Sequence, residues 1–195
     1  MGAFAEILDY LLRILFSTIM VVVLVRLLLQ LARADFYNPV SQFIVKVSNP
    51  ALKPLRRVIP GLWGIDMAAV VLLLVVQMLA IATILLLSGY SLPNPALLVV
   101  WAFLGVAGLL VNFYFFALLA MIVLSWVAPG SSNPAIYLIH QLIEPVMAPC
   151  RRMLPPMGGL DLSPIIVFIA INIIQIFLRH AAVETGLHPA LVIGL

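Results

Sequence analysis

Charge is scarce in this sequence: Lys, Arg, Asp and Glu make up 9% of 195 residues, against 65% hydrophobic side chains. A water-soluble domain of this size cannot cover so much apolar surface with so few charges, which excludes that class. Cysteine is nearly absent. Cys150 stands alone, excluding an intramolecular disulfide and any multi-cysteine metal site. Histidine is limited to His140, His180 and His188, and no HExxH, GxSxG, GxxxxGK[ST] or CxxC occurs. No catalytic residue, cofactor, metal or nucleic-acid partner is expected. The first eight residues carry no Lys or Arg but do carry Glu6, and the apolar run that follows exceeds the usual 7–15 residues, so a secretory signal is not expected either.

What is present is apolar sequence in long runs, with a mean hydropathy of +1.26. A bilayer core of ~30 Å needs about 20 helical residues. Residues 7–31 and 66–89 each satisfy that length. A third run, from Ala96 to Val127, is too long for one untilted span, and a fourth covers 162–179. The chain reads as an integral membrane protein.

The runs are organised by a duplication. Residues 38–66 (NPVSQFIVKVSNPALKPLRRVIPGLWGID) and 133–161 (NPAIYLIHQLIEPVMAPCRRMLPPMGGLD) align 95 residues apart with no insertion. Ten positions are identical, among them Asn38/Asn133, Pro39/Pro134, Pro50/Pro145, Pro54/Pro149, Arg56/Arg151, Arg57/Arg152, Pro60/Pro155, Gly64/Gly159 and Asp66/Asp161. Pro and Gly dictate backbone path, so identity of these types marks a common fold rather than a common hydropathy. Two units follow, 1–95 and 96–195. Shifting 7–31 by 95 sets the third span at 102–126, with Trp101 and Trp126 at opposite interfaces. The fold class is all-α: four transmembrane helices in two parallel repeats, each with an interfacial amphipathic helix and a Pro/Arg-rich connector. Arg33, Lys46, Lys53, Arg56 and Arg57 fall in one repeat loop and Arg151 and Arg152 in the other, while the 89–96 turn has no Lys or Arg. The loops are therefore expected in the cytoplasm, with both termini outside.

Within each loop, Asn38-Pro39 and Asn133-Pro134 read as helix starts, an Asn cap followed by Pro at the first turn. Val40, Phe43, Ile44 and Val47 form an apolar stripe, kept as Ala135, Leu138, Ile139 and Leu142, which suits a helix lying in the headgroup layer. Pro50 and Pro145 are expected to end it. The P-x-x-x-P-x-R-R-x-x-P segment, with Pro54, Pro60, Pro149 and Pro155, is expected to be a stiff non-helical connector. Its arginines have two readings: an orientation signal touching anionic headgroups with Lys46 and Lys53, or a specific site for an anionic partner. Asp66 and Asp161 read as caps of the following spans, or as partners of the double arginines. The two readings are compatible.

Inside the spans the duplication pairs Ser17 with Asn112 and Gln77 with Asn172 at equivalent depth. Interhelical hydrogen bonding accounts for them, and the alternative is an ion or substrate path. Arg26, Gln30 and Arg33 share a face of the first span, where the arginines can snorkel, and Asn172, Gln175 and Arg179 share one of the last. Arg13 has Asp9 one turn earlier. A haem- or metal-ligand role for His140 would be unsymmetrical, because its repeat equivalent is Val45.

The duplicated N-P … P-x-x-x-P-x-R-R-x-x-P … G-x-D pattern, with Pro54-Leu55-Arg56-Arg57-Val58-Ile59-Pro60 and Pro149-Cys150-Arg151-Arg152-Met153-Leu154-Pro155 as its core, resembles the YggT family over nearly the whole chain. The resemblance implies a bacterial inner-membrane protein of two repeats, where chloroplast and Gram-positive relatives commonly have one. It connects the chain with osmotic-stress tolerance and cation uptake, with cell division or nucleoid organisation, and with assembly of the photosynthetic cytochrome complex. It implies no enzyme and brings no ligand-binding residues. The expected function is a non-enzymatic scaffold in envelope homeostasis, touching membrane lipids and an unidentified cytoplasmic or membrane partner, with a homo-oligomer in view. The alternatives are a small cation channel or transporter lined by Ser17, Gln77, Asn112 and Asn172, and an assembly or division factor.

Overall fold

A computed structural model describes residues 2–153, 161–187 and 191–195. Pro155 and His188 lie outside the described residues. Those described form six helices and no strand: α1 Ala3–Leu31, α2 Pro39–Arg56, α3 Met67–Leu87, α4 Pro95–Val127, α5 Pro134–Met153 and α6 Ser163–Glu184. Four of them, α1, α3, α4 and α6, are long and apolar enough to cross a bilayer. Adding 95 to the bounds of α1, α2 and α3 gives 98–126, 134–151 and 162–182, within three residues of α4, α5 and α6. The duplication is structural.

Within the repeats α1 packs on α3 and α4 on α6, and the repeats meet through α3 and α4. Both loop helices lie on one face, because α2 touches α5. There Asn38 Nδ2 donates to the Pro134 carbonyl at 2.7 Å, and the Asp35 N–H donates to Gln141 Oε1 at 3.0 Å. Met20, Leu24, Leu52 and Leu73, all nearly unexposed, form the core beneath that face. A second cluster around Leu118, Met147 and Val167 serves the other repeat.

Three expectations about the elements are corrected. Pro50 and Pro145 do not end the loop helices, and Pro54 and Pro149 also sit inside them. Each proline removes one N–H bond, costing about 3 kcal/mol in an ordinary interior. All four are exposed, so their rings stand on the outer side of the helices. Leu52 and Met147, both 0% exposed, anchor the same turns in the core and keep them helical. The non-helical connector shrinks to residues 57–66.

The third span starts at Pro95 rather than 102, because Asn94 Oδ1 accepts from the Ala96 N–H at 2.9 Å. This is the same Asn-Pro start seen at Asn38 and Asn133, whose side chains accept from Val40 and Ala135 at 2.9 Å. Trp101 and Trp126 stand near opposite ends of α4, but Trp101 faces inward. It is 6% exposed, and its indole N–H donates to Thr185 Oγ1, whereas Trp126 is 82% exposed.

Candidate functional site

The loop face is built from the ends of α1 and α2 and the start of α3. Asp66 caps α3, its Oδ1 accepting from the Ala69 N–H at 3.4 Å. Its Oδ2 accepts from Arg56 Nε at 3.0 Å and also from Nη2. Cap and ion pair therefore share one carboxylate, 7% exposed, and both readings of Asp66 hold together. Between them the chain reverses at Leu62–Ile65, whose two backbone hydrogen bonds close a turn with Trp63 at φ 50° and Gly64 at φ 80°. Gly64 suits that left-handed position, and Trp63 pays a steric cost there. Trp63 is 97% exposed, and Gln30 Nε2 ties the turn to α1 through the Gly64 carbonyl at 3.1 Å.

The second loop repeats the frame with different charges. Arg151 Nε donates to Asp161 Oδ2 at 3.2 Å, and Nη1 reaches Glu144 Oε2 at 2.8 Å. Asp161 is a correction to the cap assignment: it stands before the helix, and Leu162 is the cap. Its Oδ1 still receives the Ser163 N–H at 2.9 Å. Hydrogen bonding from Ser163, with Arg151 beside it, holds the Asp161 carboxyl below the usual Asp value. Arg57, Arg152, Lys46 and Lys53 are exposed, and Pro60 lies in the open connector. His140 is exposed on α5.

The intramembrane polar residues do not follow the repeat. Asn172 donates to the Phe168 carbonyl and Ser17 to that of Arg13, each within its own helix. Gln77, halfway along α3 and 0% exposed, instead donates to the Ile193 carbonyl at 3.1 Å. Asn112, near the midpoint of α4, donates to the Gly194 carbonyl at 2.9 Å and accepts from Gln175 at 2.8 Å. Residues 191–195 thus lie in a groove among α3, α4 and α6. The groove exists because Gly105 and Gly108 lack side chains: a Cβ on either would collide with Gln77 or Gly194. Non-helical backbone between apolar helices needs internal partners for its carbonyls, and the two amides supply them. The signal for this segment in the sequence is G-x-x-G-x-x-x-N on one helix face together with Gln77; neither the apolar run nor the periodicity points to it.

The sequence pattern of the CCB3/YggT family matches residues 5–87 and again residues 100–182, bounds that differ by the same 95. An uncharacterized protein of Pseudomonas aeruginosa is 46% identical over 188 residues, covering 95% of each chain. The uncharacterized protein YggT of Escherichia coli K12 is 37% identical over 179 residues, 92% of this chain and 93% of that one. YlmG homolog protein 2, chloroplastic, of Arabidopsis thaliana is 37% identical over 79 residues, 35% of this chain and 30% of its own. No solved structure matches.

Proposed function

The chain belongs to the CCB3/YggT family, and on that premise we propose that it is a non-enzymatic scaffold of the bacterial inner membrane, serving envelope homeostasis under osmotic stress. The observation that carries the reading is the paired clamp of Arg56 on Asp66 and Arg151 on Asp161, ten residues apart in each loop. The first clamp fixes its connector to the base of α3, the second ties the end of α5 to the base of α6, and Arg57 and Arg152 are exposed beside them. Duplicated basic loops suit docking to anionic headgroups or to an acidic face of a cytoplasmic or membrane partner. With the loops cytoplasmic and both termini outside, the exposed stripe of Val40, Phe43 and Val47 would rest in the headgroup layer.

A cation conduit is the second reading, and the use of Gln77 and Asn112 on backbone carbonyls weighs against it. Replacing Arg56, Arg57, Arg151 and Arg152 together by Gln is expected to abolish osmotic-stress protection while leaving membrane insertion intact. A fully active, correctly inserted quadruple variant sinks the scaffold. Cation flux from proteoliposomes above that of empty vesicles would establish the conduit instead.

A further inference from the structure

The two loops share a frame and carry opposite charge balances. In the first repeat, Arg26 and Arg56 gather around Asp66, two guanidinium groups against one carboxylate, and Arg33 shares a neighbouring cavity with Arg26. In the second, positions 26 and 33 become Met121 and Ala128, and Arg151 meets both Glu144 and Asp161, one guanidinium against two carboxylates. The first site is short of negative charge and the second is not.

Two buried polar groups of the first site also lack partners. Arg26 Nε is buried with no hydrogen-bond acceptor, and the Ser41 hydroxyl, on a residue 2% exposed, has no partner either. Both residues line one cavity of about 340 Å³, together with Gln30 and Arg33. A second cavity of about 410 Å³ shares Arg26 and Gln30 and holds Arg56 and Asp66. Arg33 has φ 49°, so α1 stops in a left-handed residue at the rim of the first cavity. A buried donor without an acceptor is costly, and neighbouring guanidinium groups repel one another. An anion with several acceptor oxygens relieves both costs, and arginine binds phosphate oxygens through paired N–H groups.

We propose that the cavity between α1 and α2, formed by Arg26, Gln30, Arg33 and Ser41, binds the phosphate group of an anionic phospholipid. Arg26 supplies the buried donor, Ser41 a hydroxyl, and Arg33 the charge at the rim. Phe36, 56% exposed, lines the same cavity with Leu29 and Val45, an apolar border along which acyl chains would run. The site uses none of the arginines replaced in the quadruple variant except through their proximity. Loss of lipid binding in Arg26→Gln with stress protection retained would therefore leave the scaffold reading standing.

The test is native mass spectrometry of the full chain in zwitterionic detergent, titrated with phosphatidylglycerol, phosphatidylcholine or inorganic phosphate. One phosphatidylglycerol per chain is expected to be retained, with binding about tenfold weaker in Arg26→Gln and weaker again when Ser41→Ala is added. Arg26→Lys, which keeps the charge, is expected to recover part of the loss and covers the case in which Arg26→Gln fails to fold. Arg179→Gln, far along α6, should bind as the parent does. Equal binding by the parent and Arg26→Gln overturns the site, as does an equal loss in Arg179→Gln. Inorganic phosphate held as tightly as phosphatidylglycerol overturns the lipid as the source.

Discussion

Asp66 and Asp161 occupy one place in two copies of a frame, and burial separates them. The Asp66 side chain is 8% exposed and Arg56 33%, whereas Asp161 is 48% and Arg151 40% exposed. Removing one partner of a largely buried pair strands the other, and here the stranded Arg56 would share a cavity with Arg26. Asp66→Asn is therefore expected to destabilise by about 1–3 kcal/mol, a range lowered from the fully buried case because Arg56 is partly solvated. Asp161→Asn should cost about 0–1 kcal/mol, since the pair is exposed and Arg151 keeps Glu144. Thermal unfolding in detergent, followed by tryptophan fluorescence, compares the two. Equal losses would contradict the burial difference. The pairing itself was legible in the sequence, because an Arg and an Asp recur at a fixed spacing in both copies. Its unequal burial was not, because Arg26 and Gln30 close the first site from α1, which no local pattern joins to Asp66.

Among the elements, the segment 191–195 depends on the absence of two side chains. Gly108 is buried against the Gly194 carbonyl, so Gly108→Leu would push the segment out of its groove and leave Asn112 without that acceptor. Cys150 is the one cysteine, so Cys150→Ser gives a clean background in which Val192→Cys reports the groove. Val192 is 4% exposed, and a cysteine there is expected to resist a membrane-impermeant maleimide. Adding Gly108→Leu should make it react, and continued protection would show that the segment is held by something other than the glycine notch. The helix starts were legible at Asn38-Pro39 and Asn133-Pro134, and at Asn94-Pro95 the same local signal describes α4 better than the repeat offset does, whereas Asn49-Pro50 lies inside α2 and starts nothing. Helix ends at proline were misleading for the opposite reason. Pro50 and Pro145 act locally, while Leu52 and Met147 are held by tertiary packing that a local rule does not see. Nor does a five-residue apolar stretch differ, by composition, from the end of a span, which is why Gln77 and Asn112 read as helix-packing amides rather than as partners of a returning segment.

At the scale of the molecule, an even number of spans per repeat keeps both loops on one face, and the contact between α2 and α5 joins them there. Four apolar runs and a 95-residue offset made that arrangement readable from sequence, since a duplicated two-span unit cannot invert without an extra span. The contact between the loops rests on polar groups whose partners lie about a hundred positions away: Asn38 to Pro134, and Asp35 to Gln141. Those bonds join the repeats on the face that carries the basic residues. Cysteines placed at Asp35 and Gln141 in the Cys150→Ser background are expected to be joined by a short bifunctional maleimide. Cysteines at Asp35 and Thr185 should not be, because Thr185 lies past the far end of α6 beside Trp101. The joined protein should insert normally and show a higher unfolding temperature, as a cross-link spanning about a hundred residues restricts the unfolded chain. Absence of the product in correctly inserted protein would separate α2 from α5 and remove the shared face on which both loops are proposed to dock.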